Sequence, residues 1–376
     1  MKPRPASAGP AVARFAVVVF VAFLWLAVAS AAQAAVPKSF FGVVPQAPLS
    51  QQDVDRMGQG KVGTVRFEIS WSGVDPTAAD DYNWDAPDAV IGNAARNGIQ
   101  GLPFIFSTPK WVAELDGRNC EDPDTCLSFA PRKPQALEAW EGFLTDLAER
   151  YGPSGEFWAL NPLIPKKPIR VWQIWNEQNS PTFFKPKPDV PAYAKLLSSA
   201  NDALTAVDRK AEIVLGGMFG TPLGGAKPAV SAWKYLGRLY DVKGTKQDFD
   251  GVAPHPYGSK LDNVTIQLDL LRDEMVAAND GDADFWITEI GWASGGPPNP
   301  LNRGIQGQAD RLKEIFRYFK RKRGKLNIRN VDWYSWRDNL NSGAGLCEWC
   351  PRSGLFDEDL TPKPSWDAFT AFTGGS

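Results

Sequence analysis

Two apolar runs in this chain each end on a glutamate. The first reads Val171, Trp172, Gln173, Ile174, Trp175, Asn176, Glu177; the second reads Phe285, Trp286, Ile287, Thr288, Glu289, Ile290. A carboxylate closing a hydrophobic strand is costly to desolvate unless it is hydrogen-bonded or put to use. Either glutamate alone reads as half of a structural ion pair. Two of them converging over one pocket would supply a proton donor and a nucleophile. The chain holds one histidine, His255, which excludes any centre built from several imidazoles. A Ser/His/Asp triad would have to run through that residue. With no clustered ligand motif and no Gly-rich dinucleotide turn, neither a metal nor another cofactor is expected.

The rest of the composition sets the partner. The chain has 376 residues, 43% hydrophobic, 12% aromatic and 22% charged, as expected of a globular protein with a sizeable core. A formal net charge of -2 leaves no basic footprint for nucleic acid. Tryptophan is abundant, at 15 residues, which suits an uncharged substrate that stacks on aromatic faces.

The elements that position the glutamates are legible as alternating short β-branched runs and longer stretches of helical period. Strands are expected at Phe41 to Val44, Thr64 to Ile69, Gly101 to Phe106, Ile169 to Trp175, Glu212 to Gly217, Gly251 to Pro254, Phe285 to Glu289 and Val331 to Trp336. Helices fall between them, among them Ala136 to Tyr151, Ala192 to Val207, Asn263 to Ala278 and Gln306 to Lys322. In the first of these, Leu137, Trp140, Phe143, Leu144 and Leu147 form one apolar stripe opposite Glu138, Glu141, Asp146 and Glu149. Eight such pairs imply an α/β fold, a single (β/α)8 TIM barrel with enlarged βα loops; an open doubly wound sheet would carry a Gly-rich first turn.

Residues 1–35 read as a secretory signal peptide: Lys2, Arg4 and Arg14, an apolar run from Phe15 to about Ala29, then Ala32, Gln33 and Ala34. Residues 36–376 would then be the catalytic domain, secreted and without a membrane span after cleavage. An uncleaved anchor is the alternative, since Phe15 to Val36 is long enough to span a bilayer. In an exported chain the four cysteines pair locally, Cys120 with Cys126 and Cys347 with Cys350, although the second spacing also fits half a zinc site or a redox motif.

Barrel active sites lie at the C-terminal ends of the strands, where Glu177 closes the fourth and Glu289 the seventh. Two carboxyls flanking a sugar, one protonated and one ionised, are the requirement of glycoside hydrolysis, at roughly 5 to 5.5 Å when configuration is retained. From Phe40 to about Phe372 the chain resembles the retaining glycoside hydrolases of clan A. That resemblance implies Glu177 as general acid/base, Asn176 bonded to the sugar 2-hydroxyl and Glu289 as nucleophile. It also implies a substrate-binding pocket in which Arg66, in Val-Arg-Phe-Glu, bonds the nucleophile and holds it ionised, His255 and Tyr257, in Ala-Pro-His-Pro-Tyr, line the wall, and Trp336, in Trp-Tyr-Ser-Trp, floors the catalytic subsite. Arg66 in an ion pair, His255 in the core and Trp336 in packing are the structural alternatives.

Further tryptophans, Trp71, Trp111, Trp175, Trp292 and Trp349, fall at strand ends or in the loops above, with Trp111 and Trp292 taken as sugar-stacking candidates. The stretch around Glu177 looks most like families 5 and 39. The implied reaction is double displacement on a β-linked glycan by a monomer, with the loops Cys120 to Cys126 and Ser294 to Asn302 selecting the substrate. A transglycosylase would use the same carboxylates, and a noncatalytic carbohydrate-binding barrel would keep the same aromatics.

Overall fold

The computed structural model describes Met1 and residues 36–79, 81–220, 230–342 and 347–376; the expected leader, residues 1–35, lies outside them but for Met1. Residues Val36–Ser376 form one compact unit. Eight parallel strands close on themselves: β1 (Phe41–Val44), β2 (Thr64–Ser70), β3 (Gln100–Phe106), β4 (Val171–Asn176), β5 (Glu212–Phe219), β6, β7 (Asp284–Ile290) and β8 (Ile328–Tyr334). β6 consists of two short pieces, Gly251–Val252 and Pro254–His255, either side of Ala253. Closure is made by β8 pairing with β1, Phe41 opposite Val331 and Val44 opposite Tyr334.

Each strand is followed by an outer helix: α1 (Gln51–Gln59), α2 (Asp85–Arg96), α3 (Pro134–Tyr151), α4 (Val190–Val207), α5 (Ala232–Tyr240), α6 (Leu261–Ala277), α7 (Gly304–Lys322) and α8 (Pro364–Thr373). The stripe read from the sequence of α3 packs inward, with Trp140, Phe143, Leu144 and Leu147 buried and Leu137 at its edge. Asp88 ties α2 to α3, accepting from Arg150 Nη2 at 2.5 Å and Tyr151 Oη at 2.6 Å. Among the described residues no helix is long and apolar enough to cross a membrane.

The sequence reading sets strand eight at Val331 to Trp336, but pairing with β1 ends it at Tyr334. Both expected cysteine pairs are disulfides, one in the loop after β3 and one in the loop after β8, so neither is half a zinc site. They staple the loops at the C-terminal mouth of the barrel.

The opposite end of the barrel interior is polar and very tight. Thr64 donates to Asp332 Oδ1 at 2.7 Å and accepts from Asn330 Nδ2 at 2.7 Å. Gly42 closes this layer because a Cβ there would lie 1.9 Å from Thr64 Oγ1 and 2.0 Å from Asp332 Oδ1. Asp332 Oδ2 finds no hydrogen-bond partner among the described residues, and burial pushes this carboxyl from 3.8 up to about 7.

The folded chain therefore holds a proton on Asp332 that the unfolded chain has released, so stability falls as pH rises from 3.8 through about 7. Asp332→Asn should remove that slope. Thermal melts at about pH 8 should show the variant more stable than wild type by at least about 1 kcal/mol, with the two level near pH 4.

Candidate active site

Alternation along β2 aims Thr64, Arg66 and Glu68 into the barrel and Val65, Phe67 and Ile69 toward the helices. Arg66 is 1% exposed and its guanidinium lies 4.2 Å above the Phe104 ring. Its three nitrogens reach three acceptors: Nε to Gln173 Oε1 at 2.6 Å, Nη1 to Glu289 Oε1 at 2.6 Å and Nη2 to Asn176 Oδ1 at 2.8 Å.

The strands that present the two glutamates depart from regular geometry where they do so. In β4, Trp175 has φ 74° and Glu177 just beyond it φ 42°, left-handed conformations that side-chain-bearing residues adopt at a cost of about 1 kcal/mol or more. Alternation is broken there, so the consecutive residues Asn176 and Glu177 both face the pocket. The Trp175 indole anchors the bend, buried and donating to Phe183 O at 2.6 Å. In β7, Ile287 pairs with Val331 while Ile290 pairs with Trp333, three steps against two. The extra residue is a β-bulge, and it lets Thr288 and Glu289 both reach inward.

Over these ends the groups converge. Tyr257 Oη donates to Glu289 Oε2 at 2.7 Å. His255 Nδ1 lies 2.9 Å from Glu177 Oε1 and 3.5 Å from Glu289 Oε2, and its Nε2 lies 3.0 Å from Thr288 Oγ1. Gly217 on β5 makes room for the ring, since a Cβ there would sit 1.8 Å from His255 Nε2. One oxygen of each carboxylate and one ring nitrogen of His255 lie within 4.8 Å of one another.

The two carboxylates are held unequally. Burial, and then the charge of Glu289, push Glu177 well above the ordinary carboxylate range, with Arg66 pulling back. Burial raises Glu289 as well, but Arg66 and the Tyr257 hydroxyl oppose it directly. Burial and then Arg66 push His255 well below its usual value, so the ring is neutral; burial and the charge of Glu289 keep the Tyr257 phenol protonated. The proton shared by the pair thus belongs on Glu177. Glu177, His255 and Glu289 also have the spacing of a metal trio, but Arg66 already supplies a positive charge to Glu289 and both nitrogens of His255 have protein partners.

Six of the residues singled out from the sequence meet here: Glu177, Glu289, Asn176, Arg66, His255 and Tyr257. Three tryptophans do not. Trp336 lies beyond the end of β8, wholly buried against Phe356 at 4.7 Å and Trp366 at 5.6 Å, with its indole donating to Asp53 Oδ1 at 2.9 Å. Trp292 is buried against Trp333 and donates to Gly258 O at 2.8 Å. Trp111 sits on the helical turn Lys110–Leu115, edge-on to Trp71 and donating to Asp75 O at 3.1 Å.

The aromatic rings packed beside Tyr257 are instead Tyr334, which closes β8, 6.4 Å from Tyr257 and 5.7 Å from Trp349, and Trp349, 4.9 Å from Tyr257. Gln173, Thr288 and Glu68 were missed as well. Glu68 faces inward yet is exposed, and an inward side chain of a closed barrel reaches solvent only through the mouth. Its Oε1 accepts from Ser107 Oγ at 2.5 Å. For Gln173 and Glu68 the available signal was a polar side chain at an inward position of a strand.

No family model matches the chain, and no curated protein does. Solved structures match its fold over most of its length. A family 39 glycoside hydrolase from the gut symbiont Bacteroides cellulosilyticus WH2 superimposes with a TM-score of 0.63 at 18% identity, over 90% of this chain and 65% of that one. A monomeric beta-xylosidase from Caulobacter crescentus CB15 gives 0.63 at 18% identity, over 90% and 69%. Native xylanase 10B from Thermotoga maritima gives 0.60 at 14% identity, over 90% and 96%. This chain thus spans just under two thirds of the family 39 enzyme. At these identities the likeness is one of fold, the (β/α)8 barrel.

Arg66→Met would leave Glu289 buried without its cation. Unfolding in denaturant at neutral pH should show a loss of about 3 to 5 kcal/mol. That loss should shrink in acid, where Glu289 can take up a proton.

Proposed function

We propose that the protein is a retaining glycoside hydrolase that cleaves β-glycosidic bonds by double displacement. The observation that carries this reading is the pairing of two carboxylates within 4.8 Å, one held by Arg66 and Tyr257 and the other left with the proton. In the first step a Glu289 oxygen attacks the anomeric carbon as the glycosidic oxygen departs with the proton of Glu177. In the second, Glu177 takes a proton from water, the water oxygen bonds to the anomeric carbon, and the Glu289 ester is released.

Esterification removes the charge of Glu289, so Glu177 becomes a weaker base than in the free protein but remains able to accept that proton once ionised. Asn176, its Oδ1 engaged by Arg66, offers its Nδ2 to the sugar 2-hydroxyl. Tyr334 and Trp349 offer aromatic faces, and Glu68 a carboxylate that accepts hydroxyl hydrogens at the mouth. The leader composition of residues 1–35 and the two disulfides support export.

The test is release of reducing sugar from a panel of β-glucans, mannans, xylans, arabinans and bacterial exopolysaccharides. The xylanase and beta-xylosidase among the structural neighbours give xylans and β-xylosides first place in it. Glu289→Ala should lose nearly all activity, by about 10⁴-fold or more. Glu177→Ala should keep appreciable activity on aryl glycosides with good leaving groups and regain turnover with azide. Equal losses that azide does not relieve would overturn these roles.

A further inference from the structure

The hydrogen bonds that start at Arg66 Nε fix the hydrogens of Gln173, Thr288 and His255 in turn, as far as Glu177. A guanidinium donates and cannot accept, so the group 2.6 Å from Arg66 Nε must be the amide oxygen of Gln173. The Gln173 nitrogen is thereby turned toward Leu215 O at 3.0 Å and Thr288 Oγ1 at 3.2 Å, and donates to both. Thr288 accepts from Gln173, which leaves its own hydrogen for His255 Nε2 at 3.0 Å. A nitrogen that accepts carries no hydrogen. The neutral ring therefore bears its hydrogen on Nδ1, 2.9 Å from Glu177 Oε1, which must accept it.

The reverse tautomer would point the Nε2 hydrogen at an oxygen that Gln173 already occupies from the other side. Thr288 could accept both only by turning its own hydrogen away from every partner in this chain of bonds. The groups facing His255 leave its charge state clear: Glu177 from β4, Glu289 from β7, Arg66 from β2, and Tyr257 from the segment after β6. Gly217 brings no side chain from β5. Thr288 reaches this position because of the bulge in β7, so the same irregularity sets both the nucleophile and the histidine.

We propose that Gln173 and Thr288 are positioning residues that lock His255 as the Nδ1–H tautomer and confine the transferable proton of Glu177 to Oε2, the oxygen left for the departing group. The tautomer lock stands on the hydrogen bonds alone; its consequence for proton delivery rests on the glycosidase reading.

His255 is the chain's one histidine, so ¹⁵N-labelled histidine gives a single ring pattern in the NMR spectrum of the whole protein. The wild-type spectrum at neutral pH should show a pyrrole-like Nδ1 and a pyridine-like Nε2. Thr288→Val, which keeps the shape and removes the hydroxyl, should shift the ring toward a mixture of tautomers, and Thr288→Ser should restore the wild-type pattern. With an aryl glycoside, Thr288→Val should lose roughly tenfold in kcat, the worth of about one hydrogen bond, with little change in KM, and Thr288→Ser should recover it.

A wild-type ring protonated on Nε2, or on both nitrogens, would overturn the lock. So would a folded Thr288→Val protein with an unchanged spectrum. A shifted spectrum with unchanged kcat would overturn the role in proton delivery. The spectrum requires no substrate, so its failure is separate from a failure to cleave any glycan.

Discussion

A guanidinium sealed inside a barrel has only donors, and every group around it must accept. Arg66 is in that position, and its three partners come from the two strands that present the paired glutamates: Gln173 and Asn176 from β4, Glu289 from β7. Desolvating such a cation is tolerable only when a carboxylate lies against it and its remaining hydrogens are satisfied. Glu289 is consequently the group that stays ionised. Burial, and then the opposition of like charges at this spacing, leave the proton on Glu177. The division of labour between two chemically identical side chains follows from which of them touches Arg66.

Holding that arrangement requires local departures that the rest of the fold supports. Left-handed backbone at Trp175 and Glu177, the bulge between Ile287 and Ile290, and the missing side chain at Gly217 all fall within the same few residues. Each would be unfavourable in an isolated strand. They persist because the strands on either side are paired in register and because buried tryptophans, Trp175 against Phe106 and Phe184 among them, fix the bends from behind. At the mouth, the Cys347–Cys350 bridge flanks Trp349, which packs against the same Tyr257 that bonds Glu289.

How much of this the sequence displays depends on whether a feature obeys a period. Strands β1 to β5 and β7 and the four helices α3, α4, α6 and α7 announced themselves within two residues, since hydrophobic alternation and the helical stripe are repeated signals. The two glutamates were legible because each interrupts such a run at its end. Trp336 was misplaced because the apolar run continues past Tyr334, and only pairing with β1 shows where β8 stops. Thr288 was invisible for a related reason: period two sends neighbours to opposite faces, and nothing in Ile-Thr-Glu-Ile reports the extra residue that brings Thr288 and Glu289 to the same side. Trp292 looks like a sugar platform by position, but its ring is buried against Trp333; Trp111 is only partly buried, edge-on to Trp71 and away from the two glutamates' hydrogen-bond network.

Burial, and then the charge of Glu289 held in place by Arg66, keep the proton on Glu177. The most direct measurement is a ¹³C NMR titration of glutamate-labelled protein, with Glu177 assigned through Glu177→Gln, compared between wild type and Glu289→Gln. Glu177 should titrate well above the ordinary carboxylate range in wild type and fall when Glu289 loses its charge. A Glu177 that titrates in the ordinary range, or one that Glu289→Gln leaves unmoved, would contradict it.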